Sequence, residues 1–406
     1  MQVLQINFSD YSGGGGGAIA MYRLCQGLEA LGIDCKILSK TKTLEGDQSA
    51  LVPRVRLVEG VLKRITKPLG LNDIHTLGAF RLGNHPFLKQ ADILNAHVIH
   101  SDYFNYLAIP RLTQHAPMVM TLHDMWAFTG HCAYSYDCNR WQTGCGQCPY
   151  PNSYPPIQRD NTRLEWRMKQ WAYRRSRLAI VAPSRWLTNL AKASLLNSHD
   201  IFHIPNGLDV QTYAPIDPTL ARQTLGLPTD KTIVMACAES LSDRRKGMDL
   251  LVKSLNQLPA DLRANTMLLL MGKNAEALQN TVSLPTVALG FVDSDHRKAL
   301  AYSAADAFLF PTRADNLPIV LQESMACGTP MVSFDVGGVP DLVRPGMTGL
   351  LAPAEAVDAF TAQVVTLLTQ PNLRHTLAAQ CRQTAVAEYA LDLQAQRYQA
   401  LYESLL

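Results

Sequence analysis

The stretch RADNLPIVLQESMACGTP, residues 313–330, sets two carboxylates, Asp315 and Glu323, seven intervening residues apart in a largely apolar run. AFLFPT before it reads as a strand ending at Thr312, which puts residues 313–317 at a strand's carboxyl end. Pro318 suits the first turn of a helix, which should run to about Ala326 and stop at Gly328. Asp315 then precedes the helix N-terminus, and Glu323, four residues on from Ile319, lies one turn deeper on the same helical face. Two carboxylates so placed can grip different parts of one ligand, with helix N–H groups between them open to phosphate. A sugar offers hydroxyls to one carboxylate, and a ribose offers them to the other.

Other stretches carry chemistry of matching kinds. AESLSDRRKGMDLLVKSL places Arg244, Arg245 and Lys246 just before Gly247 and a helix, where cations can clamp a diphosphate; a solvated basic turn is the alternative. SDYSGGGGGAIAMYRLCQGLEALG has five glycines, Gly13 to Gly17, opening a helix that runs to about Leu31 and stops at Gly32. Backbone without Cβ lets a phosphate approach the helix N-terminus, and a flexible loop without ligand is the alternative. TLHDMWAFTG puts His123 and Asp124 at a strand end, for binding or for structure. Cys132, Cys138, Cys145 and Cys148 follow in one Gly-, Asn- and Pro-rich loop; four thiolates there can close a structural zinc site, with disulfides or free thiols as alternatives. The Asp-Ser-Asp at 293–295 has the look of a metal clamp but precedes a helix and reads as its cap.

The elements that must position these groups are strands alternating with helices. VLQINF, CKILS, DILNAHV, MVMTLHD, LAIVAPS and FHIPNG in the first half, and TIVMAC, MLLLMG, TVALGFV, AFLFPT and MVSFDVGG in the second, are near-continuous apolar runs, as parallel sheets covered on both faces require. At 406 residues the chain exceeds one ordinary core. IPNGLDVQTYAP, residues 204–215, reads as the connection between two doubly wound α/β domains facing across a cleft. The boundaries expected are 1–205 and 206–385, with a C-terminal helix at 386–406 packing back on the first domain.

Hydrophobic residues make up 47% and charged residues 17%, which fits a globular chain, and no apolar run is long enough to span a bilayer. The start lacks the order of a secretory signal, so a cytoplasmic location is expected, and with it reduced cysteines. Residues 1–205 carry 22 Lys and Arg against 14 Asp and Glu, the remainder 15 against 20. The basic half suits an anionic partner, but it holds no nucleic-acid reading motif. VPRVRLVEGVLKRITKPLG, residues 52–70, interleaves five cations with apolar residues, as a helix lying on a membrane surface does and as a solvated helix also can.

Taken together, these motifs resemble glycosyltransferase family 4, retaining enzymes of the GT-B fold. The likeness is carried by LGFVDSDHRKALAYSAADAFLFPTRADNLPIVLQESMACGTPMVSFDVGGVPDLVRPGMTGLLAP, with the glycine loop, TLHD, RRKG and IPNGLD in the expected order. The cysteine loop is similar to a bacterial subgroup that builds exopolysaccharide and envelope glycans. The resemblance implies transfer of a hexose, glucose from a UDP-sugar being favoured, to a glycan or lipid-linked glycan, with no catalytic metal. It places Glu323 on the ribose, Asp315 on the sugar's 3- and 4-hydroxyls, and Lys246 with Arg244 or Arg245 on the diphosphate. The amides of Asn316, Leu317, Ile319 and Val320 would reach sugar and phosphate, Gly16 and Gly17 the diphosphate, and His123 the primary hydroxyl. The base would lie against backbone near Phe291 and Val292. Asp315 is one methylene shorter than the family's Glu, Pro318 stands where many members have glycine, and Ser240 stands where the phosphate arginine falls. A nucleotide-sugar epimerase of the same fold, or a non-catalytic sugar-nucleotide or glycan binder, are the alternative readings.

Overall fold

A computed structural model describes residues 1–11, 13–279 and 281–406. It contains two compact units, Met1–Asn206 with Gln394–Leu406, and Gly207–Leu393.

The first unit is built on β1 (Gln2–Ser9), β2 (Asp34–Thr41), β3 (Ser49–Leu51), β4 (Ile93–Ala96), β5 (Met118–Thr121), β6 (Leu178–Ala182) and β7 (Asp200–His203). They form one sheet in the order β3-β2-β1-β4-β5-β6-β7. Every pairing in it is parallel. Every residue of β4, β5 and β6 is buried, which is why these strands read as unbroken apolar runs rather than alternating ones. Leu4 and Ile6 of β1 enter one core, whereas Val3 joins another with Tyr398 and Tyr402 of the C-terminal helix. Tyr402 Oη accepts a bond from Asn95 Nδ2 at 2.8 Å, and Tyr398 Oη lies 2.9 Å from Thr121 Oγ1, so the chain's last helix is stitched to β4 and β5.

The second unit holds β8 (Thr232–Ser240), β9 (Thr266–Lys273), β10 (Thr286–Ala288), β11 (Ala307–Phe310), β12 (Met331–Phe334) and β13 (Gly349–Ala352). Their order is β10-β9-β8-β11-β12-β13, and it too is all parallel. Both units are thus the doubly wound α/β sheets that the sequence implies. Two strands escape the sequence reading: β3 and β13 are short, and a run of three or four residues leaves little periodicity to detect. The C-terminal helical stretch also differs from one continuous helix. It breaks at Ala390 between helices Pro371–Tyr389 and Leu391–Leu405. Leu208 N–H donates to Tyr389 O and Leu391 N–H donates to Leu208 O, both at 3.0 Å, a bridge from distant sequence that helical periodicity cannot reveal.

In each sheet the strand order reverses once, between β1 and β4 and between β8 and β11. At such a point the loops leave the strand ends in opposite directions and open a crevice for ligands. Among the described residues no helix is long and apolar enough to cross a membrane.

Candidate functional site

In the second unit the switch point gathers the cations and one carboxylate. Beyond β8 a short 3-10 turn, Arg244–Lys246, ends at Gly247 in the left-handed region, φ +70°, before helix Met248–Asn256. Asp243 caps that turn by accepting from Arg245 N–H at 2.9 Å. A Cβ at position 247 would stand 1.9 Å from Pro311 O, so this glycine lets the β8 loop pack against the end of β11. Gly247→Ala is expected to lower stability by about 3 kcal/mol or more, from backbone strain and overpacking together, read as a drop in the denaturation midpoint.

Packed this way, Lys246 Nζ reaches Asp315 Oδ2 at 2.6 Å, and Arg245 Nη1 reaches the same oxygen at 3.1 Å and Ala314 O at 2.9 Å. Asp315 is buried, and burial alone would raise its carboxyl; Lys246 and Arg245 outweigh that and hold it below the usual carboxylate range. Gly337, at φ +55°, packs against the Asp315 carbonyl, which also accepts from Gly338 N–H at 3.1 Å. Between Arg244 and Arg245, the structure brings only Arg245 to Asp315. The Arg244 side chain is exposed, while its carbonyl accepts from Arg313, whose guanidinium also pairs with Asp249 and Glu355.

Helix Ile319–Ala326 begins one residue later than the sequence suggests, with Pro318 as N-cap. Its first amides, Ile319 and Val320, have no partner four residues back within the helix. Asn316 and Leu317 are buried in the loop before it. Glu323 sits on the buried side of the helix, where its Oε2 accepts from Tyr302 Oη at 3.1 Å. Tyr302 is fully buried and edge-on to Phe308, so the phenol holds that carboxylate from behind. Phe291 and Val292 diverge beyond β10: Phe291 is exposed with Lys273 Nζ 5.0 Å from its ring, and Val292 enters the core. Ser294, rather than either flanking aspartate, caps helix Asp295–Ala304, and Asp295 pairs with Lys298 at 2.9 Å.

The first unit has its own corner at the β1/β4 switch point. Helix Gly15–Ala30 starts inside the glycine run. A Cβ at Gly14 would lie 2.6 Å from Ser9 Cβ and from Ala18 Cβ, so close packing, not slackness alone, explains that glycine. A Cβ at Gly17 would stand 2.9 Å from Val98 Cγ2 and 3.4 Å from His123 Cγ, so the structure brings the glycine pair and His123 together; Gly16 is exposed beside them. Burial takes the His123 imidazole down to about 4. Its Nε2 is 2.9 Å from Nδ1 of His97, a residue the sequence reading passed over within DILNAHV. Asp124 turns away, accepting from Trp126 N–H at 2.8 Å and facing His100 Nε2 at 3.1 Å.

The four cysteines do not assemble as a thiolate set. Among the described residues no three His, Cys, Asp or Glu side chains converge as metal ligands do. Cys145 Sγ accepts from Gly130 N–H at 3.2 Å, and Cys148 Sγ lies 3.2 Å from His131 Nε2. Burial pushes the Cys132 thiol up to about 12 and Cys145 up to about 11, which keeps both protonated in this arrangement. All four are free thiols.

Comparison with known proteins follows the same division. The profile described as Glycosyltransferase Family 4 matches residues 14–212, and that of Glycosyl transferases group 1 matches 231–370. The putative colanic acid biosynthesis glycosyl transferase WcaC of Escherichia coli K12 is 27% identical over 330 residues, 77% of this chain and 76% of that protein. A GDP-mannose-dependent monoacylated alpha-(1-6)-phosphatidylinositol monomannoside mannosyltransferase of Corynebacterium glutamicum is 33% identical over 228 residues, 52% of this chain and 58% of that one. The structure of HepE from Anabaena in complex with UDP-glucose aligns with a TM-score of 0.68, covering all of both chains at 16% identity, a likeness of fold.

Proposed function

We propose, because this chain belongs to glycosyltransferase family 4 and has its GT-B fold, that it moves a hexosyl group from a UDP-sugar, UDP-glucose foremost, to a hydroxyl of a glycan or lipid-linked glycan with retention of configuration. The observation that carries this reading is the pairing of Lys246 and Arg245 with Asp315 at the β8/β11 switch point, one helix turn from a buried Glu323.

Breaking an anomeric bond builds positive character on the sugar and negative charge on the departing diphosphate. Lys246 and Arg245 are held at that spot before any ligand arrives, with Asp315 as their counter-ion. An incoming diphosphate can take over the two cations and release the Asp315 carboxylate to accept from sugar hydroxyls. Exchange of one anion for another avoids leaving a buried charge unpaired. Preorganised cations and the amides of Asn316, Leu317, Ile319 and Val320 then stabilise the leaving group, a contribution of several kcal/mol in comparable sites. Glu323, aimed by Tyr302, accepts from the ribose hydroxyls, the base lies near Phe291 and Val292, and Gly16, Gly17 and His123 serve the diphosphate and the primary hydroxyl. The leaving phosphate takes the acceptor's proton, and no metal is assigned a step.

The relative that uses GDP-mannose favours a second donor class, a GDP-sugar. A thermal-shift panel of UDP-, GDP- and ADP-sugars separates the two, since a ligand at a hundred times its Kd stabilises by about 2.7 kcal/mol. Transfer by pure protein, with the product anomer read by NMR, tests the reaction; donor binding without hydrolysis or transfer favours the non-catalytic alternative.

The acceptor reading draws on helix Arg56–Thr66. Leu57, Val58, Val61 and Ile65 are 89%, 47%, 58% and 57% exposed, and at 100° per residue they fall on one face, with Arg64, Lys67 and Arg56 along one border. An apolar face edged by cations suits the interface of an anionic bilayer and supports reading the protein as peripheral at the inner face of the plasma membrane. Flotation with liposomes containing anionic lipid should bring the protein to the top at low salt, and Leu57→Asp with Val61→Asp should abolish this. Equal flotation with and without anionic lipid, or none, removes the membrane reading.

A further inference from the structure

A second gathering of cations lies in the first unit, around the loop that follows β4, and sugar transfer at Asp315 and Glu323 gives it no part. Ser101 and Asp102 stand there side by side in the left-handed region, at φ +81° and +63°, which residues with a Cβ enter at a cost. Three of their backbone groups are held by side chains. Ser101 O accepts from Lys40 Nζ at 2.7 Å, Asp102 O accepts from Arg54 Nη1 at 3.0 Å, and Asp102 N–H donates to Asp73 Oδ1 at 2.6 Å. The Asp102 carboxylate accepts from Lys63 Nζ at 2.5 Å and faces the buried His75 Nε2 at 3.4 Å. Lys40 comes from the carboxyl end of β2, so these cations collect on the edge where a parallel sheet receives ligands.

The charges at this turn do not cancel. Lys40, Arg54, Lys63 and Lys67 stand against three carboxylates, Asp73, Asp102 and Glu59, which leaves one positive charge in excess. His75 adds none, because burial holds its imidazole below the usual range. Lys40 donates to a neutral carbonyl; burial lowers its ammonium, Asp102 opposes this, and Arg54 and Lys63 repel it. The Arg54 and Lys63 side chains are 31% and 40% exposed, open to an anion from outside. Lys63 and Glu59 belong to helix Arg56–Thr66, and at 100° per residue they point away from its exposed apolar face. Glu59 accepts from Arg54 Nε at 2.6 Å and from Gly78 N–H at 2.8 Å, pinning the helix over the turn. The cations therefore lie about one helix diameter, ~10 Å, beneath the surface that would rest on a bilayer.

We propose that Lys40, Arg54 and Lys63, held around the Ser101–Asp102 turn, bind the phosphate of a lipid-linked acceptor whose lipid stays in the bilayer. The proposal rests on the acceptor reading given above and assigns it a site. A phosphate group brings about two negative charges, which meet the excess positive charge and let Lys63 divide between it and Asp102. Bilayer phospholipids carry the same chemistry. Their phosphates, however, remain in the headgroup plane along the border of the helix, where Arg56 and Arg64 stand. An acceptor's phosphate joins lipid to glycan, and it must project past that plane to bring its sugar to the enzyme.

The test is titration calorimetry of the full chain with farnesyl diphosphate, in saturating UDP so that the donor site is filled. Wild type should bind the probe, and farnesol, which lacks the phosphates, should not bind. Lys40→Gln and Lys63→Gln keep a donor for Ser101 O and for Asp102 but drop the charge. Each should raise the Kd of farnesyl diphosphate about tenfold, as loss of one charge-assisted hydrogen bond implies, and leave UDP affinity at the wild-type value. Flotation with anionic liposomes separates the two sources of phosphate: Lys40→Gln should float as wild type does. No binding of farnesyl diphosphate by wild type, or an unchanged Kd in both variants, overturns the proposal and leaves the cations a purely structural role. Loss of flotation in Lys40→Gln with its farnesyl diphosphate affinity intact also overturns it, and gives the cations to bilayer headgroups. A wild type that binds the probe through these lysines but does not float removes the membrane reading alone. Absence of UDP binding falls on the donor reading, and the titration then stands without UDP.

Discussion

Lys246→Ala is expected to lower kcat for sugar transfer about a thousandfold, because it removes one preformed cation from the place where leaving-group charge develops. The loss should fall on kcat rather than on KM, since the cation matters most when the diphosphate departs. Stability moves the other way from intuition. Without Lys246, Asp315 keeps Arg245 as partner at 3.1 Å, so its carboxylate is not stranded, and the unfolding midpoint should change little. Asp315→Ala removes the carboxylate that Lys246 and Arg245 share, leaving Arg245 with Asp243 at 3.3 Å beside a Lys246 that has lost its 2.6 Å partner, and should be the less stable protein of the two until a nucleotide binds. Added UDP should then stabilise Asp315→Ala at least as much as wild type, by differential scanning fluorimetry. A kcat for Lys246→Ala within tenfold of wild type contradicts the placement of the leaving group.

Glu323→Ala is expected to weaken UDP binding about a hundredfold, the loss of two hydrogen bonds to a charged acceptor. It should weaken UDP and UDP-glucose equally, because both carry the ribose. The same change leaves the buried Tyr302 hydroxyl without the partner it has at 3.1 Å, which should cost about 1–3 kcal/mol of stability. Glu323→Gln separates the two effects: it can still accept from Tyr302 but offers the ribose a weaker, neutral acceptor. Titration calorimetry with UDP, alongside chemical denaturation, reads both. Unequal losses for UDP and UDP-glucose in Glu323→Ala would move this carboxylate from ribose to sugar.

Much of this corner was legible from residue types and spacing. The strand-loop-helix passage and the two carboxylates follow from local pattern, although β11 ends at Phe310, two residues before the expected Thr312, and Pro318 is the helix's N-cap. RRKG before a helix was equally readable, but not which arginine turns inward. That depends on Gly247 bringing Pro311 close, a contact across 64 residues. The sequence likewise treats Asp315 as a sugar ligand alone, whereas in the fold it is also the counter-ion that stores Lys246 and Arg245. Tyr302 behind Glu323 and Gln5 behind His97 left no signal, because each is a single polar residue inside a helix or strand whose neighbour lies far along the chain. One clue was present: HVIH at 97–100 stands at the end of β4, and once the strand order puts β4 beside β1, polar residues there fall at the switch point. For the four-cysteine loop, spacing leaves zinc, disulfides and free thiols open, and it does not tell that Cys145 and Cys148 meet Gly130 and His131 in the fold.

The most direct measurement is the crystal structure of the protein soaked with UDP-glucose. The diphosphate should lie within hydrogen-bonding distance of Lys246 Nζ and Arg245, with both ribose hydroxyls on the Glu323 carboxylate and Asp315 turned to the hexose. Density for the nucleotide at any other place, with Lys246 still bound to Asp315, would contradict it.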